Sequence, residues 1–377
     1  MKVRDLQHEM LARTSFEQRS RQSSVVALRR LLNSRVRPLN IEAYATEGEP
    51  EFVRRHGRLP QSPNEVQEAF LLSPTYRRWS AANRSAQEMI WVSVGEPIYA
   101  DRERMSATAR ELDASNPGLG SITLDPDYAP SPEVAGVDIH LQPGGYALDE
   151  GPGDVVAGAL YECGGNIFSF GQGSGRSDSK AALVFRLLDE HFGGFEPRRI
   201  LDLGCSAGAA SAAYADRYPK AEVHAVDIGA GMLRYAHGRA QSLGVSVHFH
   251  QMDASALRFE DESFDLVVSH NLLHEIGEEK RRAALSEAWR VLRPGGIVIH
   301  QDVAIRDLPT IVEQVEREWD THFNGEAHWT TYASADLKAD MIGAGCPGSG
   351  IVEHDLAPVH GINRWYAISA RKEANEK

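Results

Sequence analysis

The most constraining feature of the sequence is an apolar strand that runs directly into a turn of small residues, ILDLGCSAGAAS at residues 200–211. Gly204, Ser206 and Gly208 would let backbone N–H groups and the start of a following helix approach a ligand closely. Taken alone, a turn of this kind could equally hold a dinucleotide, although its spacing does not clearly match G-x-G-x-x-G. The segments that follow it in the chain must therefore identify the ligand.

Apolar strands and amphipathic helices alternate from residue 180 onward. Such alternation implies a mostly parallel sheet that is covered by helices on both faces. We therefore predict an α/β fold with helices at 181–192, 231–242, 278–292 and 334–345, another helix ending near 323, and strands at 199–203, 222–227, 245–250, 264–269, 296–302, 351–356 and 364–371.

Polar residues stand where the predicted strands end. Asp227 ends the second strand, where a carboxylate can accept hydrogen bonds from both hydroxyls of a ribose. Asp253 follows the third strand and could accept from an exocyclic adenine amine, with Met252 lying against the ring. Ser269 and His270 end the fourth strand, ahead of a Pro-Gly-Gly turn and a fifth strand. Because parallel strands present their carboxyl ends at one edge, we expect these residues to share a site.

The segments LDLGCSAG, AVDIGAGML, MDASAL, FDLVVSHNLLHEI and VLRPGGIVI, in this order and spacing, resemble class I S-adenosylmethionine-dependent methyltransferases. The resemblance is closest to the broad group that modifies small molecules in quinone and natural-product biosynthesis, and it covers residues 180–303. It implies a Rossmann-like seven-stranded sheet and S-adenosyl-L-methionine as the cofactor. The sequence departs from the family pattern at one position, where Ser206 replaces the usual middle glycine of the turn.

The resemblance also implies roles for individual residues. Asp202 would orient the methionyl amine, and His270 would lie beside the methionine and the sulfonium. Gly204, Cys205, Ser206 and Gly208 would wrap the methionine moiety, Asp227 would bind the ribose and Asp253 the adenine amine.

Three histidines, His274, His270 and His300, are candidate acid–base catalysts. An imidazole with a pKa near neutrality could take a proton from a hydroxyl as it attacks the methyl group, so activity should fall below that pKa. A carboxylate or thiolate acceptor would need no strong base, and the histidines would then be substrate contacts. His270 and His274 are four residues apart, but no third ligand is evident and Glu275 should point away, so we predict no metal site.

The chain divides by composition into three parts. Residues 1–135 are predicted to be a mainly helical N-terminal domain, in which 116–135 resembles a linker, and 181–377 to be the cofactor-binding domain. Residues 136–180 are predicted to be a linker or lid, because ten glycines fall between Gly144 and Gly175. A loop that packs its aromatic residues on the core is the alternative. The candidate substrate contacts in this segment are Tyr146, Tyr161, Phe168 and Phe170.

Charge and composition restrict the partners. The formal net charge of −13 opposes a polyanionic partner, so we expect no nucleic acid. No apolar run is long enough for a bilayer and no secretory signal is recognised, which favours a cytoplasmic protein without a membrane partner. We predict methyl transfer to oxygen, as a hydroxyl or carboxylate, of a small organic molecule. The alternatives are methylation of protein or RNA, or a non-catalytic cofactor-binding module, and the N-terminal domain could complete the pocket or form a homodimer interface.

Overall fold

The computed structural model describes residues 8–170, 179–305, 308–357 and 364–374. Its strands are β1 (Ser121–Thr123), β2 (Arg199–Leu203), β3 (Glu222–Asp227), β4 (His248–Gln251), β5 (Phe264–His270), β6 (Leu292–Val303), β7 (Ile351–Leu356) and β8 (Trp365–Arg371). Its helices are α1 (Phe16–Leu31), α2 (Asn40–Ala43), α3 (Glu49–His56), α4 (Pro63–Leu72), α5 (Pro74–Ser115), α6 (Pro132–Ala135), α7 (Val156–Phe168), α8 (Ser179–His191), α9 (Ala209–Arg217), α10 (Ala230–Ser242), α11 (Glu278–Val291), α12 (Ile311–Arg317), α13 (Trp319–Phe323), α14 (Trp329–Ala333) and α15 (Leu337–Gly343).

The strands form one mixed sheet, which over the described ranges has eight strands in the order β1-β4-β3-β2-β5-β6-β8-β7. Strands β1 to β6 pair in parallel, whereas β8 is antiparallel to both β6 and β7. The strand order reverses at β2, since β3 and β4 lie on one side of it and β5 and β6 on the other. The carboxyl ends of β2 and β5 therefore border a crevice, the usual ligand position in open α/β sheets. The predicted α/β, Rossmann-like fold class is confirmed.

The sheet has one strand more than the seven expected. β1 comes from the segment 116–135, which composition had suggested to be a linker. Ser121 pairs with His248 of β4, and its backbone N–H donates to Val247 O at 3.1 Å. A three-residue strand with an intermediate burial pattern leaves too short a hydrophobic signal for sequence reasoning to detect.

Both faces of the sheet are buried, because side chains alternate between them along each strand. In β2, Ile200 packs with α8 and α9 residues, whereas the adjacent Leu201 packs with α11 residues. In β5, Val267 shares the α11 face, and its neighbours Leu266 and Val268 share the other. This two-sided burial explains why the strands read as continuous apolar runs.

The N-terminal region is helical, as expected, and is organised by α5, a helix of 42 residues. Pro97 lies inside this helix, and a proline cannot donate to the carbonyl four residues earlier. That carbonyl, Ser93 O, accepts instead from Gln22 Nε2 of α1 at 3.1 Å. The carbonyl that Pro97 leaves without a helical donor therefore links α5 to α1. Over the described residues, no helix is apolar for long enough to cross a membrane.

Thirteen residues in the middle of the glycine-rich segment form a helix. α7 runs from Val156 to Phe168 and packs against α5 and α10. A Cβ at Gly158 would lie 2.3 Å from Tyr235 Cβ, and one at Gly164 would lie 2.5 Å from the Trp91 ring. These glycines therefore permit close helix packing instead of flexibility. The part of the expected lid at 171–178 lies outside the described residues.

Contacts of the N-terminal helices with the chain that follows β6 join the two ends of the molecule. Arg37 Nε donates to Glu316 Oε1 at 2.9 Å, and Asn40 Nδ2 donates to the same oxygen at 3.0 Å. Beside them, Trp319 Nε1 donates to Ser80 Oγ at 2.7 Å. These contacts hold α12 and α13 against the N-terminal helices.

Candidate active site

The turn between β2 and α9 is held in a conformation that favours small residues. Gly204, Ser206 and Gly208 have φ values of 67°, 44° and 72°, all in the left-handed region. A Cβ at Gly204 would lie 2.8 Å from the Leu272 side chain, and one at Gly208 would lie 2.8 Å from Ala236 Cβ. Ser206 occupies the turn in the same left-handed region, so the serine does not alter the path of the backbone.

Asp227, at the end of β3, closes this turn. Its Oδ2 atom accepts from the Ser206 backbone N–H at 2.8 Å, and its Oδ1 atom accepts from Gly229 N–H at 2.9 Å. Burial raises the pKa of this carboxyl above 3.8, while the backbone N–H groups oppose the rise. Each carboxylate oxygen still has capacity to accept once more, which suits a pair of vicinal hydroxyls.

A cavity of about 950 Å³, counting the space at its mouth, opens at this edge of the sheet. Six predicted cofactor residues and two predicted substrate residues line it together, namely Gly204, Ser206, Asp227, Met252, Asp253, His270, Tyr146 and Tyr161. Other lining residues include Glu133, Ile139, Glu275, Lys280 and His328. Residues predicted from separate motifs thus meet around one space that is large enough for a drug-sized ligand.

Asp253 lines this cavity with its charge already paired. Its Oδ2 atom lies 2.9 Å from Lys280 Nζ, and its Oδ1 atom accepts from Ser255 Oγ at 2.6 Å. Burial raises the pKa of Asp253, but the hydrogen bonds from Ser255 and Lys280 outweigh it and the net change is downward. The group is therefore an acceptor in the neutral range.

Three of the predicted cofactor residues lie behind the cavity wall instead of in it. Asp202 is 1% exposed and accepts from Ser211 Oγ at 2.6 Å. Cys205 and Gly208 complete the turn without lining the cavity. Their placement supports the shape of the turn, and any contact with a ligand would be through backbone N–H groups or water.

Of the three candidate catalytic histidines, His270 alone lines the cavity. Its Nε2 atom lies 3.2 Å from the Tyr214 hydroxyl, and its Nδ1 atom lies 3.4 Å from Gln301 Oε1. His300 is 1% exposed and pairs through Nδ1 with Ser269 Oγ at 2.8 Å. Burial lowers the pKa of His300 to about 4, so this ring is a neutral core residue.

His274 does not line the cavity, and both of its ring nitrogens face carboxylates. Nδ1 lies 2.5 Å from Asp302 Oδ1, and Nε2 lies 3.4 Å from Glu275 Oε1. Burial alone would lower the pKa of His274, but the charges of Asp302 and Glu275 raise it well above 6.5. An imidazole that is already protonated cannot accept a proton, so this geometry disfavours His274 as the general base.

Glu275 takes the position between His274 and the cavity, whereas the sequence suggested that it would point away. Its Oε1 atom accepts from the Tyr146 hydroxyl at 2.8 Å and lies 3.4 Å from His140 Nε2. His140 Nδ1 in turn lies 2.6 Å from Glu326 Oε1. Burial opposes ionisation of Glu275, but the neighbouring imidazoles outweigh it and lower its pKa. Burial also opposes protonation of His140, but the two glutamates raise its pKa to about 10.

Phe168 and Phe170, predicted as substrate contacts, face α1 instead of the cavity. The Arg29 guanidinium lies 4.3 Å from the centre of the Phe168 ring, and the Arg30 guanidinium lies 5.6 Å from that of Phe170. Because α7 is a helix, residues on its two sides face different neighbours, and only Tyr161 on this helix reaches the cavity.

Sequence reasoning did not select His140, Glu326, Glu133, Lys280 or His328. His140, Glu326 and His328 lie in turns or short helical segments, Glu133 lies in α6 and Lys280 lies in the first turn of α11, so no strand end marks any of them. Only the folded arrangement brings them to the cavity or beside it. The nearest feature in the sequence is the pair Gly144 and Gly145. Both have positive φ values and form the turn that follows His140.

Residues 200–296 match the family model described as "Methyltransferase domain". The malonyl-(acyl-carrier protein) O-methyltransferase of Geobacter sulfurreducens is 36% identical over 137 residues, which are 34% of this chain and 49% of that protein. The demethylmenaquinone methyltransferase of Thermus thermophilus is 37% identical over 103 residues, which are 27% of this chain and 46% of that protein. The chain thus spans about half the length of the curated relatives it matches.

Among solved structures, the phosphoethanolamine N-methyltransferase 2 of Haemonchus contortus, in complex with phosphomonomethylethanolamine and S-adenosylhomocysteine, is 18% identical. The alignment covers 50% of this chain and 52% of that one, with a TM-score of 0.39. The range that matches the family model runs from β2 into β6 and contains the turn, Asp227, Asp253 and His270.

Proposed function

We propose that residues 200–296 form a class I methyltransferase domain whose methyl donor is S-adenosylmethionine, and that the protein uses it to methylate an oxygen atom of a small organic molecule. The observation that carries this proposal is the shared cavity. Residues of the cofactor motifs line it together with Tyr146 and Tyr161, which lie outside those motifs. A donor and an acceptor molecule could therefore occupy adjacent parts of one enclosed space.

The composition of the wall around Tyr146 supports a small acceptor with both apolar and polar parts. Tyr146 and Tyr161 pack edge to face, with their ring centres 5.7 Å apart, and supply flat apolar area. Glu275 and the Tyr146 hydroxyl add polar atoms at the same place. The named activities of the curated relatives include an O-methyltransferase and a methyltransferase of demethylmenaquinone, which agrees with such an acceptor.

The reaction would be an in-line displacement at the methyl carbon. A lone pair of the acceptor oxygen forms the new C–O bond while the C–S bond breaks, its electrons remain on sulfur and S-adenosylhomocysteine leaves. For a hydroxyl acceptor, the O–H proton is released as the bond forms. Holding the two reactants in line inside the cavity supplies most of the acceleration in this mechanism.

The role of the histidines in this proposal differs from the sequence-based expectation. His270 would contact the reactants, since it lines the cavity, whereas His274 would orient Glu275 from behind. His300 would act only by packing, because its ring is buried against Ser269.

Mass spectrometry with methyl-labelled S-adenosylmethionine tests the proposal. The protein would be incubated with a metabolite extract and with a panel of phenols, quinols and hydroxy acids, and Asp227→Ala would serve as the cofactor-site control. Labelled methyl on an oxygen of a small product, absent with the control, is the expected result. Label recovered only on protein or RNA, or on nitrogen or carbon, would contradict the proposed acceptor, and cofactor binding without turnover would contradict an enzyme.

A further inference from the structure

We propose that His140, Glu275 and Glu326 bind a divalent transition-metal ion, Mn²⁺ or Zn²⁺, at the wall of the cavity. One nitrogen or oxygen atom from each residue lies within 4.8 Å of the corresponding atoms of the other two. Donor atoms around a tetrahedral ion lie roughly 3.4 Å apart, given bonds of about 2.0–2.2 Å, so small adjustments of the three side chains would complete the set. The inference extends the proposed function, but ion binding itself does not rest on it.

The three residues are held by tightly fitted loops. The carbonyl of His140 accepts from Trp91 Nε1 of α5 at 2.6 Å, and His140 itself has a φ of 53°. A Cβ at Gly325, the residue before Glu326, would lie 2.4 Å from Asp138 O. The loops that carry His140 and Glu326 are thus pressed against each other, and a left-handed histidine is a costly conformation that surroundings must impose.

An unsatisfied oxygen is the second observation that points to a ligand. Glu326 is 2% exposed, and its Oε2 atom has no hydrogen-bond partner in the part of the chain that the structure describes. A buried carboxylate oxygen without a partner is costly, and a bound cation is one way to satisfy it.

The charges of the cluster also favour a cation. Glu275, Glu326 and Asp302 supply three carboxylates, and His140 and His274 supply two imidazoles. Acidic groups therefore outnumber imidazoles in this buried cluster, and a bound divalent cation would offset the excess.

One imidazole and two carboxylates form a mixed donor set. Imidazole suits zinc and other transition metals, and carboxylates suit manganese, so these two ions fit better than calcium. Three protein ligands leave coordination positions open, as in catalytic rather than structural sites. Because Glu275 lines the cavity, an open position there would face an acceptor molecule. Coordination lowers the pKa of a hydroxyl. Neither His274 nor His300 lines the cavity to take the proton of such a hydroxyl.

Calorimetric titration of the chelator-treated protein with Mn²⁺ and with Zn²⁺, in separate experiments, tests the site. The expected result is one ion bound per chain, with affinity reduced about 100-fold by Glu326→Gln. Glu133→Gln, which removes a carboxylate from the same cavity but outside the cluster, should leave ion binding unchanged. Elemental analysis of the protein purified without chelator should find the ion in the wild type and not in Glu326→Gln.

Unchanged circular dichroism and unchanged S-adenosylmethionine affinity of Glu326→Gln would show that the variant is folded. Equal ion affinity in the wild type and Glu326→Gln, or no binding of either ion, would overturn the metal site. In that case the protonated ring of His140 alone bridges the two glutamates through its two N–H groups. Methyl transfer could persist after such a result, so failure of the metal site and failure of the proposed function would be distinguishable.

Discussion

At the scale of single residues, the site depends on carboxylates that do two things at once. Asp227 fixes the turn after β2 through two backbone N–H groups and presents its remaining acceptor capacity to the cavity. Glu275 accepts from Tyr146 and faces two imidazoles. A substitution at either position therefore changes both a ligand contact and the local arrangement.

Replacing Asp227 with alanine should weaken S-adenosylmethionine binding by about 1–3 kcal/mol, because two ribose hydroxyls lose their acceptor. Asp253→Ala should have a smaller effect, since water can replace one hydrogen bond at the more open adenine edge. Calorimetry with each variant measures the difference. Unchanged affinity in Asp227→Ala would mean that the ribose lies elsewhere.

Replacing His274 with alanine should lower kcat by about 10- to 100-fold, the range for residues that orient a functional group, without weakening S-adenosylmethionine binding. His274→Asn should recover part of the loss, since its amide N–H can still donate to Asp302.

The pH profile separates this positioning role from general-base catalysis. The pKa of His274 is raised well above 6.5, so the ring stays protonated as the pH falls through 6.5, and wild-type activity should not fall there through this residue. A loss of wild-type activity below pH 6.5 that disappears in His274→Asn would instead identify His274 as the base.

At the scale of elements, the strands were predictable and α7 was not. The apolar runs at 199–203, 222–227 and 351–356 form strands with the same bounds as predicted, because turns and small residues delimit each run. The glycines at 158, 164 and 165 indicated a loop, since glycine disfavours helices. In the folded protein, contact of Gly158 with Tyr235 and of Gly164 with Trp91 outweighs that preference. Such packing is decided by partners far away in the chain.

Two glycine substitutions on α7 should have opposite effects on stability. Gly158→Ala places a Cβ 2.3 Å from Tyr235 Cβ, and overpacking of this kind costs about 1–3 kcal/mol. Gly165→Ala meets nothing within 4 Å, so higher helix propensity should stabilise the protein by about 0.5–1 kcal/mol. Urea denaturation of both variants measures the two changes. Equal effects would show that α7 is not packed against α10 in this way.

Within the candidate site, too, some residues were predictable from the sequence and others were not. Asp227, Asp253, Met252 and His270 were predictable because each follows or ends a strand, and strand ends meet at one edge. The His140, Glu275 and Glu326 cluster was not, because its members come from three turns whose approach depends on the whole fold.

At the scale of the whole molecule, the N-terminal helices and the segment that follows β6 are joined by buried polar contacts. Glu316 of α12 is 6% exposed and receives both Arg37 and Asn40. Burial opposes the charge of Arg37, but Glu316 and Asp320 outweigh it and raise its pKa. Removing one partner of such a buried ion pair is costly, because the other charge is left buried without a counter-charge.

Glu316→Gln should lower the free energy of unfolding by about 3 kcal/mol, because Arg37 loses its main counter-charge while keeping one acceptor. Exposed Glu279→Gln on α11 should change it by less than about 0.5 kcal/mol. Chemical denaturation followed by tryptophan fluorescence and circular dichroism measures both. Equal stability of the two variants would show that the Arg37 contact does not hold the two parts together.

The small strand β1 has a consequence for self-assembly. It pairs with β4 through Ser121, Ile122 and Thr123, and so covers the backbone N–H and C=O groups of β4 that face outward. An uncovered strand edge is a template for pairing with another chain. A chain shortened from its N-terminus past residue 123 would lack β1 and would leave this edge of β4 open to pairing with another chain.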